Sequence, residues 1–470
     1  MVIFHMQLHP NDPQNGIAHA LTALENNPPV IGLDFDEPPD SVPFVVDNPQ
    51  QIESFIQAYF QAHNEYGPAI NLRDFLRLTN GDVGLVRSGG IPIALVRVTG
   101  PYYYQADASI DNPPWFRHRF PVEILGYYEQ DLNNHLALVI NPPAQGTFQM
   151  LIDPNGATYR AIKDWCHNIS TSKSLRMTSQ LLDQRKQIIF TGPPGTGKTR
   201  EAKRLAYFML HEQIPPADFE NTLALLQNNP NQQAGAWDIV QFHPSFNYDD
   251  FVRGIRVQTD NDGHTRYTTE DGPLLKLAQR ATNRPDQKFI LIIDEINRAN
   301  VAAVLGEFIY ALEYRGESVA LQYAREENDR ISIPENLYII GTMNSADRSI
   351  GHLDYAVRRR FAFVELLPNQ SAIERYQNFE NDRVRGEALQ KYEMVRSLFE
   401  GDQSELTGDY QARDVQPGHS YFLVTTIQEL NLNLKYQIAP LLREYIADGV
   451  LKPSANRQID KIAQPIEEQP

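Results

Sequence analysis

The stretch Gln187–Thr199, QIIFTGPPGTGKT, constrains this chain more than any other. Ile188, Ile189 and Phe190 form a short apolar run that reads as a buried strand. A loop with Gly192, Pro193, Pro194, Gly195, Thr196 and Gly197 follows, then Lys198 and Thr199. The spacing satisfies G-x-x-x-x-G-K-[ST], a loop that wraps phosphate. Glycines let successive backbone N–H groups turn toward an anion without a clashing Cβ. Lys198 brings a point charge to the β- and γ-phosphates, and the Thr199 hydroxyl is a ligand for Mg2+. The helix that starts near Lys198 adds its positive end. A strand, loop and helix in this order predict an α/β nucleotide-binding core.

A second apolar run, Phe289–Ile293, ends in Asp294-Glu295. An acidic pair at the carboxyl end of a buried strand suits a metal and an attacking water. Asp294 holds the metal through water, and Glu295 polarises the nucleophile. A third run, Leu337–Thr342, leads into Met343-Asn344-Ser345-Ala346-Asp347-Arg348, with the Asn344 amide at the strand tip. Arginines 358–360 then precede another strand. In a lone domain such a run caps a helix end; in a ring it reaches a neighbour's nucleotide.

The 470 residues suffice for two or three domains, and 41% hydrophobic content supports real cores. A net charge of −17 argues against a protein that coats nucleic acid through its whole surface. Cys166 is the lone cysteine, which removes intrachain disulfides and cysteine metal clusters. No apolar run approaches the ~20 residues of a membrane span, so no membrane partner is expected and the expected location is cytoplasmic.

Residues 1–49 are poorly patterned, with an acidic, proline-rich connector at Asp34–Pro49, and Gln50–Gln61 has helical periodicity. From Gly81 the texture is β: alternation flanks Ser88-Gly89-Gly90, a natural hairpin turn, and further strands are expected within residues 114–128 and at His135–Ile140. The expectation is a small β-rich barrel or curled sheet over 50–165. Tyr102, Tyr104, Trp115, Arg117 and Arg119 are its candidate DNA-binding residues, because aromatic faces beside guanidinium groups stack a base and hold phosphates. Residues 166–185 read as a linker leading into a helix before the phosphate loop, 186–368 as the large α/β subdomain, 369–457 as a helical lid and 458–470 as a disordered tail.

Two resemblances join these readings. GDVGLVRSGGIPIALVRV and PPWFRHRFPVEIL resemble the PUA-like superfamily that includes EVE and YTH domains, which implies a pocket for a modified base. GPPGTGKT, LIIDEINRAN and GTMNSADRSIGHLDYAVRRRF, with QFHPSFNYDDFVRGI, PGHSYFL and YQIAPLLREY, resemble McrB-type AAA+ GTPases over roughly residues 185–450. The fold class implied is an α/β AAA+ P-loop core with a helical lid. The resemblance gives catalytic roles to Lys198, Asp294, Glu295, Asn297, Asn344 and Asp347. It makes Arg348 and Arg359 the favoured trans-acting arginines, with Arg358 and Arg360 also open. Arg443 is a candidate lid arginine near the nucleotide, with a surface ion pair as the competing reading. The resemblance further implies GTP rather than ATP, a homo-hexameric ring, modified double-stranded DNA, and a McrC-like endonuclease partner. The competing class is an ATP-driven remodeller with a protein-binding amino-terminal domain. It draws on the balance of residues 1–180, 10 Lys/Arg against 18 Asp/Glu.

Overall fold

A computed structural model describes residues 2–8, 15–33, 54, 57, 66–105, 114–134, 136–143, 146–154, 156–216, 219–226, 235–259, 265–326, 329–346, 353–376, 378–402 and 404–467. The expected connector at 34–49, most of the helix at 50–61, and Asp347 and Arg348 lie outside these residues. The chain divides into two compact units, Met1–Arg176 and Met177–Pro470.

The first unit is built on a seven-stranded sheet. Its strands are β1 (Ile3–Gln7), β2 (Val30–Leu33), β3 (Val83–Ser88), β4 (Ile91–Val98), β5 (Tyr103–Tyr104), β6 (His118–Tyr127) and β7 (Phe148–Met150), in the order β2-β6-β4-β3-β1-β7 with β5 on β6. The β3–β4 hairpin pairs Ser88 with Ile91, which makes Gly89-Gly90 a two-residue turn, and Gly89 takes the positive φ of +56° it requires.

Two expectations change here. The poorly patterned start of the chain is a central part of the unit: β1 pairs parallel to β3 and antiparallel to β7, and Phe4 packs on Phe148 at 5.4 Å. The unit therefore includes residues upstream of the expected start at 50. A five-residue strand buried on both faces lacks the alternation that marks a strand in sequence. Of the two expected forms, barrel or curled sheet, the described residues match the open sheet: the path ends at β2 and β7 with no pairing between them. Residues 136–140, expected as a strand, contain none; Tyr128 Oη instead accepts from the Ile140 N–H at 3.0 Å.

The expected linker at 166–185 belongs to one helix, Ala157–Arg185. Its buried positions are Ile162, Trp165, Ser172, Leu175, Ser179 and Leu182, a three-and-four stripe in which two serines replace apolar residues. Those serines hide the periodicity.

The second unit carries a five-stranded parallel sheet: β8 (Gln187–Gly192), β9 (Ala236–Gln241), β12 (Phe289–Asp294), β15 (Leu337–Asn344) and β16 (Ala362–Glu365), ordered β16-β8-β15-β12-β9. Ile188, Ile189 and residues 289–293 are fully buried, as expected where helices cover both sheet faces. A hairpin of β10 (Arg253–Thr259) and β11 (Thr265–Asp271) is fixed at its base by buried Arg253, which bonds Asp271 at 2.6 Å and Asp329 at 2.5 Å. Two further short strands, β13 (Val319–Ala320) and β14 (Arg330–Ile331), pair with each other.

Helices from Gln370 to Ile462 pack around their own core, in which Tyr392, Phe422, Leu430 and Leu442 are buried. Within the tail expected to be disordered from 458, residues 458–462 belong to a helix. Asn456–Ile462 is helical, with Ile459 and Ile462 in that core. The Lys391 ammonium caps the helix by donating to the carbonyls of Lys461, Ile462 and Gln464 at 3.0–3.2 Å. Burial lowers the pKa of this lysine.

Candidate nucleotide site

The phosphate loop leaves β8 at its carboxyl end and enters the helix Lys198–His211. Gly195 and Gly197 sit at φ +80° and +82°, a region that L side chains avoid. The buried Lys198 Nζ donates to the carbonyls of Gly192 (3.0 Å) and Pro193 (2.8 Å), and Thr196 Oγ1 donates to Pro193 O at 3.0 Å.

Register sets the candidate catalytic groups side by side. Asn344 on β15 pairs with Gly192 on β8, and the neighbouring strand β12 ends in Asp294. Asp294 Oδ1 accepts from Thr199 Oγ1 at 2.7 Å and from Thr342 Oγ1 at 2.6 Å. Thr342 Oγ1 in turn accepts the Glu295 N–H at 3.1 Å. Glu295 adopts φ +54°, an uncommon conformation for a non-glycine residue and one that clusters at functional sites. Its carboxylate is held on both oxygens, by Asn344 Nδ2 at 2.8 Å and by Arg298 Nε at 3.2 Å.

Thr342 and Arg298 escape sequence reading because each acts through another residue's side chain. The available signal is a hydroxyl two residues before Asn344 on the same strand. Asn297 is buried, and its Oδ1 has no hydrogen-bond partner among the described residues.

The hydroxyl–carboxylate pair of Thr199 and Asp294 is an all-oxygen donor set that fits Mg2+. This ion takes few protein ligands and completes its shell with water and phosphate. No cluster of three or more His, Cys, Asp or Glu side chains among the described residues forms a separate metal cage.

The three arginines separate by role. Arg358 stacks on the Phe363 ring at 4.9 Å. Arg360, 8% exposed, bonds Glu313 Oε2 at 2.5 Å and the Ala356 carbonyl. Arg359 is 64% exposed and reaches the same Glu313 oxygen at 3.1 Å. All three precede β16, whose first residue Ala362 pairs in parallel with Ile188. They therefore lie at the amino ends of the strands, whereas Lys198, Asp294, Glu295 and Asn344 cluster at the carboxyl ends. Arg443 forms an exposed ion pair with Asp460 at 3.0 Å, a partner other than those nearest in sequence.

In the first unit, Tyr102 Oη lies 2.9 Å from His118 Nδ1, and the Tyr104 and His118 rings are 5.1 Å apart. Burial and then the Arg117 charge hold His118 down to about 3, so its imidazole is neutral. Burial, then Tyr104, raises Tyr102. Trp115 is half-buried and meets Phe116 edge-on at 5.6 Å. Arg119 is turned inward: its guanidinium donates to the carbonyls of Phe116 (2.9 Å) and Pro114 (2.5 Å), which braces the turn before β6. Arg117 remains partly exposed beside this group.

Comparison with known proteins matches residues 187–361 to the AAA domain of the dynein-related subfamily and residues 404–453 to the McrB alpha-helical lid domain. The type IV methyl-directed restriction enzyme EcoKMcrB subunit of Escherichia coli K12 is 36% identical over 288 residues, covering 57% of this chain and 55% of that protein. The type II restriction enzyme BsuMI component YdiS of Bacillus subtilis 168 is 28% identical over 208 residues, covering 40% and 60%. The chain thus spans somewhat over half the length of these relatives. Among solved structures, NtrX from Brucella abortus overlaps 63% of this chain and 68% of its own at 13% identity. Its TM-score of 0.28 is too low to add to the fold already described. No helix among the described residues is long and apolar enough to cross a membrane.

Proposed function

We infer that this chain, an McrB-type AAA+ protein and nucleoside triphosphate hydrolase, is the motor and recognition subunit of a modification-dependent restriction complex. It hydrolyses GTP in a homo-hexameric ring in the cytoplasm, binds methylated double-stranded DNA through its amino-terminal unit, and drives a McrC-like endonuclease. Support for the restriction role comes from the McrB lid and the likeness to a methyl-directed restriction subunit. The choice of guanine rests on the family resemblance.

In this reading Lys198 and the loop amides bind the β- and γ-phosphates. Thr199 and Asp294 would hold Mg2+, which when bound neutralises phosphate charge. Asn344 keeps Glu295 aimed, and the Glu295 carboxylate orients the attacking water and accepts its proton as the γ-phosphate leaves. Thr342 fixes Asp294 through its hydroxyl and Glu295 through its backbone, so one side chain sets both acids. The single observation that carries the ring is the separation of charges. Arg359 stands at the opposite end of the sheet from its own phosphate loop, so the nucleotide it serves is a neighbour's.

The test is turnover of GTP and ATP side by side, with unmodified or methylated duplex and with or without the nuclease. GTP hydrolysis stimulated by the partner, together with tighter binding of methylated duplex, supports the reading. Turnover of ATP alone with no DNA preference favours the remodeller instead.

A further inference from the structure

The lid loop Gly418–Phe422, the GHSYF stretch, lies against the outer rim of the phosphate loop. The Gly418 N–H donates to Pro194 O at 2.8 Å and the Ser420 N–H to Gly195 O at 3.0 Å. The approach is close on both sides. A Cβ on Gly418 would sit 2.0 Å from Gly195 O, and one on Gly195 would sit 2.4 Å from the Tyr421 ring. The other rim carbonyls are held from within: Gly192 O by Lys198 Nζ and the Ser345 N–H, Pro193 O by Lys198 Nζ and Thr196 Oγ1. Every carbonyl from 192 to 195 therefore has a donor, and the lid supplies two of the donors.

A trans peptide is a rigid plate whose C=O and following N–H point in opposite directions. Holding the Pro194 carbonyl outward turns the Gly195 N–H inward, and holding the Gly195 carbonyl does the same for the Thr196 N–H. Successive amides of this loop are what a phosphate oxygen bonds. Gly195, with no Cβ, rotates freely unless something outside it fixes the plates.

We propose that the main-chain amides of Gly418 and Ser420 are positioning groups of the nucleotide site, aiming the Gly195 and Thr196 N–H groups at the β-phosphate. The docked lid and the tight-binding phosphate loop are then one state. Lid departure breaks two hydrogen bonds, frees both amides and releases the nucleotide. This rests on the phosphate-loop reading above and gives the GHSYF stretch a task within it.

The test is the release rate of a fluorescent GTP or ATP analogue from the full chain with magnesium, chased by unlabelled nucleotide. Ser420→Pro deletes one N–H at the second residue of the short helix His419–Phe422, a first-turn N–H that makes no intrahelical hydrogen bond. Release should accelerate about tenfold at an unchanged melting temperature without nucleotide. Ser420→Ala restores the N–H without the hydroxyl and returns release toward the parent rate. Gly418→Ala, which forces the Gly195 carbonyl away, should match Ser420→Pro and decides the matter if the proline variant fails to fold. Parent-like release from both folded variants overturns the proposal. A parent chain that binds no triphosphate overturns the phosphate-loop reading itself, so the two failures are distinguishable.

Discussion

The two units assemble their chemistry in different ways. In the second unit Lys198, Thr199, Asp294, Glu295 and Asn344 sit at the end of a strand or the start of a helix, and parallel register brings Gly192, Asp294 and Asn344 together. In the first, the aromatic group comes from β5, from β6 and from the turn before it, and much of its polar chemistry is spent inside the unit. Arg87, fully buried, bonds His5 Nδ1, Gln7 Oε1 and the Gly89 and Gly146 carbonyls. Arg119 is spent likewise on Phe116 and Pro114. A site fixed by backbone register tolerates little change in spacing, so it leaves a motif. A site assembled by packing across a mixed sheet leaves only composition.

The largest effect expected is on phosphate binding. Lys198→Ala should abolish detectable nucleotide binding, read by fluorescent-nucleotide titration; retained affinity breaks the contrast at its stronger end. Next, Arg359→Ala should cut turnover about 1000-fold while each chain still binds nucleotide. Arg360→Ala should instead lower the melting temperature, because its buried guanidinium ties residue 356 to Glu313. Glu295→Gln should bind nucleotide and slow single-turnover hydrolysis about 100-fold.

In the first unit the effects are smaller. Trp115→Ala should weaken binding of a methylated duplex about tenfold, as expected for a lost stacking surface. Arg119→Ala should act on melting temperature first, since its partners are backbone carbonyls. If Arg119→Ala changes DNA affinity at constant stability, the inward role is wrong.

Protonation provides the mildest comparison. His118 is held to about 3, and His5 and His419 to about 4, all chiefly by burial. Each folded value lies below the ordinary histidine value of 6.5, so the unfolded chain binds more protons between 6.5 and these values. The stability contributed by the neutral rings is complete above pH 6.5 and drains away as pH falls toward about 4. Calorimetry from pH 7 to 4 should show melting temperatures falling through that window; a flat profile contradicts the buried neutral rings.

These differences explain what could be read from the chain. The phosphate loop, the acidic pair and Asn344 are local patterns, and each was visible as such. Thr342 was not, because its role is defined by two partners about 48 residues away in sequence. The opening strand Ile3–Gln7 was missed because burial on both faces erases alternation. The full length of the helix through 166–185 is hidden by Ser172 and Ser179 at core positions, and the final helix by its dependence on Lys391 far upstream. Inward-facing Arg119 looks in sequence like any arginine beside aromatics.

The central claim is that hydrolysis occurs at a seam, with lysine and carboxylates from one subunit and Arg359 from the next. The most direct measurement mixes two inactive chains, Lys198→Ala and Arg359→Ala, and follows turnover. Each alone lacks one half of every seam, whereas a mixed ring joins an intact phosphate loop on one chain to an intact arginine on the other. Recovered hydrolysis that rises with mixing is the predicted result; a mixture as inactive as its two components would contradict the account.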